Sequence, residues 1–422
     1  MTSEPITRLS DLSPQQRRSG LAAWLGWLFD GLDMHIYTLV ATPFVAALLG
    51  GLATSDPSVN KHASVIQAAF MVGWAVGGAI FGRIGDLIGR SRALVLTILT
   101  YAGFTGLSAI SQEWWHLMIF RFLSALGIGG EWAVGASLLS ETWPKKWRPW
   151  IAATLQSAVN MGILLACFAG EMFKGQNPRW IFLVGVLPAL ITLWIRRAVP
   201  ETEEWAEARG TGKPPGLRDL FGPGVRSTTI RVLLICGVSL TAHWAFMFWQ
   251  QAHIRHHAEV RVLDAAGQNH AAVVALTVMM VCSIVGNFLA GALAKMVGYR
   301  WAIVSMLAAY CVAMLTTFSR EWSLSATLVW FGIIGAIQGV FGLFTMCLPP
   351  LFPTLLRTTG AGFCYNFGRI ASAVGIVYFG LYAKPQDVSA TLYHAGWLFL
   401  PAALIAMLLP VENRNDPVID VG

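Results

Sequence analysis

Long apolar runs separated by short polar breaks recur along the whole chain, without the period-two alternation of strands. The runs predict helices over 21–49, 64–81, 93–110, 115–138, 150–170 and 180–195, and again over 229–251, 271–293, 302–318, 325–348, 360–382 and 393–410. Most are near the roughly 20 residues that a membrane span requires. The longest break, 196–226, is rich in charge, proline and glycine and divides the helices six and six. The expectation is an all-α integral membrane protein of twelve transmembrane helices: a six-helix bundle over 1–199, a central cytoplasmic loop over 200–226 and a second bundle over 227–422.

The two sets of helices repeat. Adding 209 carries Gly82 onto Gly291, Gly89 onto Gly298, Phe122 onto Phe331, Gly130 onto Gly339, Pro144 onto Pro353 and Arg148 onto Arg357. A shift of 208 lays Ser111, Glu113 and Trp114 over Ser319, Glu321 and Trp322. A repeat at half the chain length predicts two pseudo-symmetric bundles with a ligand site between them, near the bilayer midplane.

Composition sharpens this reading. The chain has 422 residues, 55% hydrophobic and 12% charged, and soluble domains carry roughly twice that charged share. A soluble enzyme and a disordered chain are both excluded. Eighteen tryptophans and 42 glycines suit membrane interfaces and closely packed helices. The net charge of +7 is scattered in short clusters between the runs, which points to membrane topology and away from nucleic acid. Most Lys and Arg fall on one side if both termini are cytoplasmic, so a multi-pass protein of the plasma (inner) membrane is expected. No cleavable signal is expected, because the first run carries Asp30 and Asp33 and lacks a small-residue cleavage site. The six cysteines all lie inside apolar runs and predict free thiols. No phosphate-binding glycine loop and no nucleophile–base pair stands out, so neither an ATP-driven pump nor an enzyme is expected, and no cofactor. His253, His256 and His257 have helical spacing but no fourth ligand, so no metal is expected either.

Ionisable residues inside a span are costly and mark function or a partner. Asp30, Asp33 and Tyr37 share one stripe of the first helix, and Glu131 of the antiparallel fourth helix lies at similar depth. These three carboxylates are candidates for carrying a proton, or for holding helices together through arginine. Arg121 is either a coupling group or a structural one that reaches the outer surface. Arg369 lies about 12 residues into the eleventh helix, roughly 18 Å deep, where it could grip a carboxylate through two parallel hydrogen bonds. A structural pair with a first-helix carboxylate is the other reading. Tyr365, Asn366 and Ser372 share its face, while Asn160 and Gln156 face it from the pseudo-symmetric fifth helix. His243, Trp244 and Gln338 are further mid-membrane residues that either line a cavity or pack.

The segment after the second helix, with Gly82, Asp86, Gly89, Arg90 and Arg92, resembles the signature loop of the major facilitator superfamily of secondary transporters. That resemblance implies a cytoplasmic latch at Gly82, Asp86, Gly89, Arg90 and Arg148. In the second copy Lys295 stands in the place of Asp86, so only the first copy is expected to latch. Asp30 and Asp33, then Arg121, Gly127, Gly130, Glu131, Glu141, Pro144 and Arg148, with Asn366 and Arg369, resemble the proton-coupled organic-acid branches that carry sialate, lactate, aromatic acids and related metabolites. The implied function is alternating-access transport of a small organic anion, a monocarboxylate, with a proton, by a monomer in the lipid bilayer. A sugar or polyol porter and a transporter-like sensor are the alternatives.

Overall fold

The computed structural model describes residues 9–53, 56–173, 177, 179–188, 194–195, 198–211, 216–382 and 388–410. In the first half α1 is Pro14–Leu48, α2 Pro57–Ile88, α3 Arg90–Ser108, α4 Trp114–Thr142, α5 Arg148–Met172 and α6 Ile181–Val184. A short polar helix, α7, spans Glu203–Thr211. In the second half α8 is Arg226–His256, α9 Ala265–Val297, α10 Tyr299–Phe318, α11 Leu324–Ile337, α12 Val340–Cys347, α13 Arg357–Tyr382, α14 Val388–Trp397 and α15 Phe399–Ala406. Eight helical spans among the described residues are long and apolar enough to cross a membrane. Part of the sixth predicted helix, 189–193, lies outside the described residues, as do both chain ends.

Most helices overrun the apolar windows because polar caps sit outside them. Ser13 accepts from the Gln16 N–H while the Gln16 side chain accepts from Ser13 N, closing a capping box ahead of α1. Asp56 caps α2 ahead of Pro57, and Asp264 caps α9. The tenth and twelfth predicted helices are each divided. The first break falls at Gln338–Gly339, where α11 presses backbone-to-backbone on α9: a Cβ on Gly339 would lie 2.5 Å from the Gly286 carbonyl oxygen. The second falls at Leu398, ahead of Pro401, which supplies no N–H to the preceding turn.

The repeat is visible in the backbone. Gly89 and Gly298, 209 residues apart, both take positive φ (103° and 85°) at the tight turn between two antiparallel helices. Gly77 and Gly286 are likewise related, and each lets two helices touch: added Cβ atoms would lie 2.1 Å from the Leu126 oxygen and 2.0 Å from the Ala336 oxygen. Pro144 and Pro353 each precede a single 3₁₀ turn, Lys145–Trp147 and Thr354–Leu356. Large apolar side chains such as Leu289 (60% exposed) and Val329 (63%) form an outer face that only lipid would cover. The polar residues Asp30, Asp33, Arg121, Glu131, Asn366 and Arg369 are buried inside.

Candidate functional site

Where the halves meet, a cavity with about 700 Å³ of atom-free space, open solvent at its margin included, is lined from both. The first half contributes Trp27, Asp30, Met34 and His35 of α1, Trp74 of α2, Trp132 of α4, and Gln156, Val159, Asn160 and Ile163 of α5. The second half contributes His243, Trp244 and Met247 of α8, Met280 of α9, Gln338, Phe341 of α12, and Tyr365 and Arg369 of α13. The walls are indole, thioether and aliphatic, with few polar groups, as in small-molecule sites generally. Two aromatic contacts cross between the halves: Trp132 stacks on Tyr365 at 3.7 Å between centroids and 6° between planes, and Trp74 meets Trp244 edge-on at 5.0 Å.

Arg369 is 2% exposed and sits in an aromatic cage. Its guanidinium carbon lies 3.8 Å from the Trp74 ring centroid, 5.2 Å from that of Tyr365 and 5.4 Å from that of Trp244. Nη1 donates to Asn366 Oδ1, and Asn366 Nδ2 is anchored on the Gly362 carbonyl at 2.8 Å. Among the described residues no carboxylate is within ion-pair distance of Arg369. Its Nε–H is buried without a partner, as are the indole N–H groups of Trp27, Trp74, Trp132 and Trp244 and the Nδ2 of Asn160. Native structures seldom leave so many buried donors unpaired around one space. An acceptor-rich, negatively charged guest satisfies such a lining.

The carboxylates divide into two kinds. Asp33 accepts from Arg121 Nη1 at 3.0 Å and from Thr105 Oγ1 at 2.5 Å, and Arg121 also lies over the Phe70 ring at 4.5 Å. This buried set ties α1 to α3 and α4 and is not part of the cavity wall. Asp30, one turn away, does line the cavity, and its Oδ1 has no hydrogen-bond partner. Glu131 is fully buried beside it, within hydrogen-bond reach of Asp30 and with no other partner among the described residues, its carboxyl pressed on Gly26, where a Cβ would lie 1.6 Å from Oε1.

At the end bearing Gly89 the halves are bolted together. Asp86 accepts from the backbone N–H groups of Thr358 and Thr359, at 3.4 and 2.9 Å, and from Thr359 Oγ1 at 2.5 Å. A first-half carboxylate thus caps the free N-terminus of α13. Arg90 donates to Asp86 at 2.8 Å, to Glu141 at 2.8 Å and across the interface to the Thr354 carbonyl at 2.8 Å. Arg357 answers from the second half, pairing with Glu141 at 3.3 Å and Glu204 at 2.7 Å. Gly82 packs against the Thr358 carbonyl, 2.8 Å from an added Cβ. Arg148 donates to Ser140 in its own half.

A family model for the Major Facilitator Superfamily matches residues 23–376. The chain belongs to the major facilitator superfamily. It is 28% identical over 365 residues to the "Sialic acid transporter NanX" of Escherichia coli (strain K12), with 85% of each chain covered. It is 29% identical over 425 residues to the "Probable 4-methylmuconolactone transporter" of Cupriavidus pinatubonensis (strain JMP 134 / LMG 1197), covering 97% of this chain and 94% of the other. The structure of the proton:xylose symporter XylE bound to 6-bromo-6-deoxy-D-glucose has a TM-score of 0.74 at 16% identity, over 94% of this chain and 96% of that one, a likeness of fold alone. With the superfamily comes the twelve-helix, two-bundle architecture, and the chain is a membrane transporter of small molecules and not an enzyme.

Within this superfamily frame, eight residues singled out in the sequence meet at the cavity: Asp30, Gln156, Asn160, His243, Trp244, Gln338, Tyr365 and Arg369. Others do not reach it. Tyr37 is 1% exposed, donates to the Ala63 carbonyl at 3.2 Å and lies under Arg121. Asn366 is fully buried behind Arg369 and orients it. The Ser372 side chain lies outside the described residues. His253, His256 and His257 turn to three separate partners, Ser389, the Ala252 carbonyl and the Trp322 carbonyl. Sequence reasoning passed over Trp27, Trp74 and Trp132, taking tryptophan as interfacial. Their positions in the middle of spans were the available signal. His35 also lines the cavity, although it lies off the Asp30–Asp33 stripe.

Proposed function

We propose that this transporter is a secondary carrier of small organic anions, taking up a monocarboxylate with a proton by alternating access. The observation that carries the reading is Arg369: a buried guanidinium without a carboxylate partner, held by aromatic faces at the wall of the central cavity. A guanidinium is always charged and matches a carboxylate with two parallel donors. The indoles around it offer apolar walls and unpaired N–H groups, which suits a carboxylate on an apolar body.

In this reading Asp30 and Glu131 form the proton site. Two buried carboxyls side by side avoid mutual repulsion by sharing a proton, and Asp30 reaches the cavity where the anion binds. Asp33 and Arg121 pair with each other and brace α1 against α4. The bundles over 1–199 and 227–422 rock about the cavity, joined by the loop over 200–226. The bolted end is the cytoplasmic side of a plasma-membrane protein with both termini inside, and one copy holds a complete cavity, which supports function as a monomer.

The test is uptake of labelled benzoate into proteoliposomes under an imposed pH gradient. Wild type accumulates it, and Arg369→Gln lowers uptake by roughly tenfold or more. Asp30→Asn and Glu131→Gln keep counterflow but stop responding to the pH gradient. Unchanged benzoate uptake by Arg369→Gln, or gradient-driven accumulation of uncharged xylose by wild type, overturns the reading.

A further inference from the structure

One hydrogen-bonded chain at the cavity wall is not used by this mechanism. Gln338, at the break between α11 and α12, directs its amide nitrogen at two thioether sulfurs, Met279 Sδ at 3.5 Å and Met247 Sδ at 3.6 Å, and at the Tyr310 hydroxyl at 3.4 Å. Thioether sulfur only accepts, so the sulfurs fix which end of the amide is NH₂. Toward the Gln338 amide nitrogen the Tyr310 hydroxyl can therefore act only as an acceptor. Tyr310 is fully buried, stacked on Phe399 at 3.9 Å, and its remaining neighbour in the chain is His243 Nδ1 at 3.2 Å. If Nδ1 carried a proton, the Tyr310 O–H would be left buried with no acceptor, the costlier arrangement. Tyr310 thus donates to Nδ1, and a neutral His243 carries its proton on Nε2.

The free ends of this chain lie at the cavity. His243 and Gln338 both line the cavity. Neither His243 Nε2 nor Gln338 Oε1 has a protein partner among the described residues, and neither is sealed in the core. The first is a donor and the second an acceptor. Resting on the anion reading above, we infer that His243 and Gln338 form a second subsite that takes a hydroxyl group on the transported carboxylate. The hydroxyl accepts from His243 Nε2–H and donates to Gln338 Oε1, and Tyr310 acts as a positioning residue that holds the histidine tautomer.

Two measurements test this on the purified full-length protein. The first needs no ligand: nitrogen NMR of histidine-labelled protein, with the His243 signal assigned by its loss in His243→Gln. The expected spectrum is that of the Nε2–H tautomer, giving way to a mixture in Tyr310→Phe. An Nδ1–H ring in wild type overturns the relay. The second compares binding of benzoate, its meta and para hydroxy acids and the matching methoxy acids. At least one hydroxy acid binds roughly fivefold or more tightly than both its methoxy counterpart and benzoate. His243→Phe brings that ratio to about one, Tyr310→Phe reduces it, and Arg369→Gln weakens all the acids together. Equal binding of hydroxy and parent acids by wild type, or an undiminished ratio in His243→Phe, overturns the hydroxyl subsite. Binding of none of the acids overturns both the subsite and the anion reading, and the ligand-free spectrum separates that failure from a failure of the relay.

Discussion

Arg121 and Arg369 look alike in the sequence, each an arginine inside an apolar run, and their surroundings separate them. Arg121 has Asp33 at 3.0 Å, a carboxylate of its own half. Arg369 has rings around it and a cavity in front. Asp33→Asn should therefore behave as the removal of one partner from a buried pair, costing about 3 kcal/mol or more in thermal or denaturant unfolding of the purified protein. Adding Arg121→Gln to it should recover most of that loss and leave the pH-gradient response of uptake in place. A stable double variant without that response would return Asp33 to the proton path. The stripe of Asp30 and Asp33 was legible from their spacing. Which of the two meets an arginine was not, because Thr105 and Arg121 lie 72 and 88 residues from Asp33 along the chain.

At the scale of helices, contact between backbones governs the packing. Gly77 of α2 and Gly286 of α9 occupy equivalent places in the repeat, each with a carbonyl oxygen about where a Cβ would stand. Gly77→Val and Gly286→Val should each destabilise by about 1–3 kcal/mol in detergent unfolding, since a packed helix pair cannot absorb the added carbons. Gly103 of α3 has nothing within 4 Å of its added Cβ, and Gly103→Ala should be neutral or slightly stabilising. Equal effects at all three positions would show that close helix approach is not what these glycines supply. The apolar runs located the spans but not their ends, because Ser13, Asp56 and Asp264 cap from outside the windows. The runs also hid the break at Gln338, which depends on how closely α9 approaches.

For the whole molecule, the decisive contacts are those that bolt the halves together at the Gly89 end. Asp86, Glu141 and the half-exposed Glu204 face Arg90, Arg357 and the N-terminus of α13. Replacing Arg357 and Glu204 together by glutamine should favour the state open at this end. In a background without the six free cysteines, Gln156→Cys at the cavity wall should then react several-fold faster with an impermeant maleimide applied from that side. Unchanged labelling would mean the bolts do not set the equilibrium. Glu204 belongs to the polar stretch between the two sets of helices, and its place in the bolt is set by the fold of α7 against Thr354 and Arg357. The membrane class, the two-fold repeat and the residue types left inside the spans can be read along the chain, because apolar length, period and composition are local and additive. Which buried charges pair, which face the cavity and which helices close one end depend on how the helices pack. Those are matters of a few ångströms between residues far apart in sequence, and pairing or exposure of a buried charge turns on such distances.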